Sequence, residues 1–177
     1  MRHCAIITAL LVLGSGSAAA ESYSIAIEPS AEESLRSSYC PFADDDQTLL
    51  IYDGKNVLSR HRFCTSYGKA EVKVINDAKG TPYVLLRYGQ GRGTNAVTEY
   101  LSVFRVAKNL VEYVRTPISS AADVSARWEF SYSVSSPPDG GLRIALTRSM
   151  MEIGGPSLMK GHEFLPPESS RVLQIGP

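Results

Sequence analysis

Residues Tyr88–Asn95 read YGQGRGTN, the most chemically suggestive run in the chain. Glycines at every second position make a backbone that can approach a ligand closely. Arg92 sits among them with a fork of directed N–H donors. The pattern is no dinucleotide fingerprint, because that motif needs its glycines between a strand and a helix, and here strand-like segments flank both sides. No Gly-Lys-Ser/Thr follows, so it is not a phosphate-cradling loop either. The spacing supports an arginine presented, beside Gln90 and Asn95, to an anionic group or to the acidic cleft of a partner. The plain alternative is a flexible hairpin connection.

Asp44-Asp45-Asp46 is the next concentration of chemistry. Calcium needs six to eight oxygen ligands, often at alternating positions around a glycine turn, and three consecutive aspartates do not fit that loop. They read as plain solvated acidity; the alternative is a local charge that steers a basic partner. His61 lies between Arg60 and Arg62 in a strand-like segment. The flanking cations disfavour an imidazolium there, which points to a structural histidine. His162 lies in the Gly/Pro-rich tail, a poor support for catalysis. No G-x-S-x-G elbow, H-E-x-x-H pair or Cys/His metal set is present. No metal ligand and no cofactor is therefore assigned from the sequence, which leaves open whether a metal binds. Paired carboxylates for sugar hydrolysis can come from distant positions and leave no local motif.

Cys40 and Cys64 are the two cysteines beyond the leader-like start, which holds Cys4. With no third competitor they are expected to pair in an oxidising compartment. Such a bond closes a loop of about 25 residues and is worth ~3.5 kcal/mol in the chain-entropy picture. The compartment is read from residues 1–20: a basic start at Arg2 and His3, an apolar run Cys4–Leu13, and a small-residue end Ala18-Ala19-Ala20. That is the layout of a cleaved secretory signal, and its apolar run is too short to span a bilayer. The expected domains are then a signal peptide over 1–20, one β domain over 21–149 and an extended arm over 150–177.

The elements that must position these residues follow a period of two. Trp128, Phe130, Tyr132 and Val134 alternate with polar neighbours, the mark of a half-buried strand. The turn cluster Ser135–Gly141 joins it to Leu142, Ile144 and Leu146. Glu71–Ile75 pairs with Tyr83–Tyr88 across Asn76–Pro82, and Glu99–Val106 with Leu110–Arg115. Thr48–Tyr52 pairs with Asn56–Cys64 across Asp53-Gly54, a strong hairpin signal. Ser22–Ile27 reads as a first strand and Ser30–Ser38 as a short helix capped by Ser30 with Glu33 three residues on. The fold class is all-β: an antiparallel meander of about nine strands closing as a barrel, sandwich or curved sheet, with a Gly/Pro-rich C-terminal arm. Met150, Met151, Leu158 and Phe164 would cover an open sheet edge from that arm.

In a single meander, successive connections alternate between the two ends of the sheet. Loops 65–70, 89–97 and 118–126 would share one end, and loops 53–55, 77–82, 107–109 and 135–141 the other. The first end would gather Asp44, Asp45, Asp46, Tyr67, Lys69, Gln90, Arg92 and Asn95. Loops on a rigid scaffold are where binding residues concentrate.

The chain carries 18 basic and 18 acidic side chains. Near-neutrality supplies no general attraction for nucleic acid or an anionic membrane, and no later stretch reaches membrane-spanning length. The expectation is an exported, non-catalytic binding protein of the bacterial periplasm, or a secreted one. Its partner is another protein of the cell envelope, met through loops at one end of the sheet. The competing expectations are a hydrolase of envelope polysaccharide or peptide, a structural component of an envelope complex, and a carrier of small apolar ligands inside a barrel.

Overall fold

In a computed structural model, the described residues are 23–30, 40, 42–91, 97–106, 110–122, 126–153 and 169–176. The secretory leader expected over residues 1–20 and the helix expected over Ser30–Ser38 lie outside them, Ser30 excepted. Among the described residues, ten antiparallel strands form two sheets, of three and seven strands. They belong to two compact units, one made of Met1–Gly68 and Val106–Val111, the other of Lys69–Arg105 and Glu112–Pro177.

The first unit holds β1 (Tyr23–Pro29), β2 (Asp46–Asp53) and β3 (Asn56–Cys64), in the order β1-β2-β3. Central β2 reads DQTLLIYD, and its consecutive Leu49, Leu50 and Ile51 are all buried. A strand covered on both faces reads as an apolar run rather than an alternation. Gly54, at φ 59°, supplies the left-handed backbone of the tight β2–β3 turn. Ser30 follows β1 and holds it to β2: its N–H donates to the Asp46 carbonyl at 2.9 Å, and its hydroxyl lies 2.8 Å from that of Thr48.

The second unit is a meander of β4 (Ala70–Asn76), β5 (Pro82–Gln90), β6 (Val97–Arg105), β7 (Val111–Ala122), β8 (Ala126–Ser135), β9 (Leu142–Ile153) and β10 (Ser170–Ile175). Spatial order follows chain order from β4 at one edge to β10 at the other. The barrel alternative fails because β4 and β10 end the sheet rather than pairing with each other. The sheet is nevertheless strongly bent. The β7–β8 ladder runs only over Ser119–Ala122 against Ala126–Glu129, and a bulge at Glu129/Phe130 follows, a device that kinks a strand. Tyr83, Leu85, Leu101, Val103 and Ile118 from one half meet Trp128, Phe130, Leu142, Ile144, Leu146 and Ile175 from the other in one core cluster. β9 runs on past Ser149 through Ile153, and Ser170–Ile175 pairs with its earlier half as β10. Met150 and Met151 thus lie in a strand, while Leu158 and Phe164 lie outside the described residues.

The bend brings two turns together at one end, as the meander alternation predicts for loops 77–82 and 135–141. Asp77 is only 6% exposed. Its Oδ1 accepts from Lys79 N (2.9 Å) and Thr81 N (2.8 Å), its Oδ2 from Gly141 N (2.8 Å), and Ala78 N donates to Ser136 Oγ (2.6 Å). Gly141, at φ 80°, lies so close to β10 that a Cβ there would stand 2.2 Å from the Ile175 carbonyl oxygen. The Tyr83 hydroxyl completes this clasp by donating to Gly176 O at 3.4 Å.

Candidate functional site

In the first unit, Cys40 and Cys64 form a disulfide with their Cα atoms 5.5 Å apart, as the cysteine arithmetic predicts. The bond ties the segment entering β2 to the segment leaving β3. Each segment then turns through one short 3-10 turn, Ala43–Asp45 and Ser66–Gly68. Asp45 joins them. It is 4% exposed; its carbonyl accepts from Thr65 N at 2.8 Å, and its Oδ1 accepts from Tyr67 N at 2.6 Å. Gln47, also buried, donates to the Asp44 carbonyl at 3.0 Å. Asp46 forms a two-point ion pair with Arg62, its Oδ1 accepting from Nε at 2.7 Å and its Oδ2 from Nη2. The guanidinium hydrogen bond, outweighing burial, holds the Asp46 carboxyl below the usual carboxylate range. The acidic triplet thus divides: Asp45 and Asp46 are spent on the corner itself, and Asp44 stays exposed.

The corner holds Tyr67 at φ 57°, ψ 26°, the left-handed region. No other non-glycine among the described residues has positive φ. For a bulky residue this conformation costs ~1–2 kcal/mol. The residue with this strained backbone is 57% exposed, with Phe42 at 48% on the other segment of the corner. The following Gly68 is also left-handed, and a Cβ there would lie 3.0 Å from the Asp44 carbonyl.

In the second unit, Gln90 ends β5 within a different constellation. Tyr88 and Tyr100 face each other in the β5–β6 register, rings stacked with centroids 5.8 Å apart. Arg115 of β7 lies across them, 4.3 Å from the Tyr100 centroid and 5.8 Å from that of Tyr88, and its Nη2 donates to Gln90 Oε1 at 3.0 Å. Arg87, the cation of β5, is engaged by Glu99 at 2.7 Å and Glu71 at 3.7 Å.

Of the residues expected at one end of the sheet, the structure joins Asp45 to Tyr67 and places Gln90 with Arg115. Lys69 is exposed at the start of the second unit. Arg92 and Asn95 lie outside the described residues. The single-meander argument that grouped all of them does not carry across β3 to β4, since these strands belong to different sheets. The sequence reading missed Phe42, Tyr100 and Arg115. Arg115 was legible only as the last residue of the predicted strand Leu110–Arg115, whereas β7 runs on to Ala122. β7 accommodates Pro117 because its ladder with β8 begins only at Ser119.

His61 stacks on Phe63 with centroids 6.5 Å apart. Among the described residues no group of three or more His, Cys, Asp or Glu side chains could hold a metal ion. No helix among them is long and apolar enough to cross a membrane. Comparison with known proteins finds no match to any family model, curated protein or solved structure.

Proposed function

We propose that this chain is an exported, non-catalytic binding protein of the bacterial periplasm that engages another protein through the disulfide-tied corner around Tyr67. The observation that carries this reading is a strained backbone presenting a solvent-facing aromatic ring. A tyrosine at positive φ weakens its own unit, and a residue left 57% exposed recovers little of that cost by burial. Strain of this kind clusters where the chain serves a ligand rather than its own stability. Tyrosine is enriched at binding hot spots, where it brings large contact area with little side-chain freedom to lose. Two further features support the reading. A buried disulfide suits an oxidising compartment, and the buried Asp45 carboxylate fixes the Tyr67 amide, so the ring is positioned before any partner arrives.

The test is affinity capture from a native envelope fraction, followed by titration of the captured partner against purified wild type and Tyr67→Ala. The variant should weaken the complex by ~2 kcal/mol. Equal binding by both proteins would remove Tyr67 from the interface and the proposal with it.

A further inference from the structure

We propose that Arg115 is the anchor of a carboxylate-binding site on the seven-stranded sheet, built to take an acidic side chain of a protein or peptide. It goes beyond the Tyr67 corner and shares no residue with it. Arg115 is an exposed arginine already held in one pose. Its guanidinium carbon stands over Tyr100, 4.3 Å from the ring centroid, and 5.8 Å from that of Tyr88, and it gives one N–H to Gln90 at 3.0 Å. These three partners come from two adjacent strands locked by a regular ladder in which Tyr88 faces Tyr100 and Gln90 faces Thr98. The platform is therefore rigid.

None of these partners is an acid. The ion pairs among the described residues engage Arg62 and Arg87 but not Arg115. The guanidinium carries five N–H donors, and among the described residues only the one aimed at Gln90 makes a hydrogen bond. The face that rests on the rings is satisfied by cation–π attraction, which leaves the polar rim of the fork for a ligand. A planar fork held still matches a planar carboxylate, which can accept two parallel N–H bonds from it. The freezing of a long side chain, a main cost of binding through arginine, has already occurred in folding. Arg87 is already taken up by Glu99 and Glu71, so among the described residues Arg115 is the cation of this platform that has no carboxylate against it.

The experiment is an NMR titration of the full mature chain carrying labelled arginine, at constant ionic strength. The probes are a tetraglutamate peptide, a tetraglutamine peptide and inorganic phosphate. Expected is a saturable movement of the Arg115 Nε–H resonance with tetraglutamate, none with tetraglutamine, and at least fivefold weaker binding of phosphate. Arg115→Lys should weaken tetraglutamate binding at least fivefold, since a lysine keeps the charge but loses the fork and the stacking. Tyr100→Leu should weaken it severalfold with Arg115 intact. Circular dichroism should show all variants folded. The proposal is overturned if Arg115 does not respond, if tetraglutamine moves it equally, if Arg115→Lys binds as tightly as wild type, or if phosphate binds more tightly than tetraglutamate.

Discussion

Asp45 and Asp77 do the same job in the two units with opposite results. Each is a buried carboxylate that accepts backbone N–H groups from a neighbouring connection, and each ties together segments that the strands alone would leave apart. At Asp77 the tied segments are two turns, and the left-handed positions fall on glycines: Gly80, Gly140 and Gly141. At Asp45 a left-handed position falls on a tyrosine, which stays exposed. A glycine takes a left-handed backbone at no steric cost, whereas a tyrosine there is strained. The contrast lies in where the left-handed backbone falls: on glycines at the clasp, and at the corner on a tyrosine as well as Gly68.

The comparison can be broken by variants in either region. The largest effect is expected from removing the corner's covalent tie: Cys40→Ser with Cys64→Ser should cost ~3.5 kcal/mol through loop entropy. Faster amide hydrogen exchange at Thr65 and Tyr67 would report the loss. Asp77→Ala should cost ~3 kcal/mol, because the Lys79, Thr81 and Gly141 amides lose their buried acceptor. Here exchange should quicken at Thr81 and Gly141, and unchanged protection there would show that the clasp is incidental.

A smaller effect concerns acid. Burial alone would raise the Asp77 carboxyl, but the Gly141, Thr81 and Lys79 amides together outweigh it and hold it below its ordinary value of 3.8. The stability this contributes is present in full above that ordinary value and is lost as pH falls through the lowered one. Asp77→Asn should accordingly flatten the fall in urea midpoint below about pH 4. The smallest effect has the reverse sign. Tyr67→Gly relieves the left-handed strain and should raise stability by ~0.5–1 kcal/mol while weakening the partner complex. A destabilised Tyr67→Gly would mean that the ring supports its own unit, and the contrast between the two aspartates would disappear.

Strands were the legible part of this molecule. The run Asn56–Cys64 is a strand over its whole predicted length, and Trp128, Phe130 and the Leu142–Leu146 series share one core, because period-two burial writes itself into local sequence. β10 was not legible: Ser170–Ile175 pairs with Leu142–Thr147 of β9 as a short strand preceded by a Gly/Pro-rich stretch of sequence, so local composition masked a long-range pairing. The division into two sheets was equally hidden. Nothing in Thr65–Lys69 marks a change of sheet, since sheet membership depends on which distant strands pair. At the corner, Asp45 and Tyr67 stand 22 residues apart. Their types made them candidates, but composition alone could not distinguish a buried acceptor from a solvated charge. Arg115 required knowledge of register, which fixes the tyrosine pair beneath it.

The clasp also has a consequence for how quickly the chain reaches its final form. Its hydrogen bonds join residues 64 and 93 positions apart, and Arg171 reaches Thr116 and Pro117 over 55 and 54. Closing such wide loops before any reward is gathered makes folding slow, on the millisecond-to-second scale of non-local β topologies. Gly141 can seat against Ile175 only after β8, β9 and β10 have aligned, so the second unit is expected to spend most of its folding time as an unclosed ribbon.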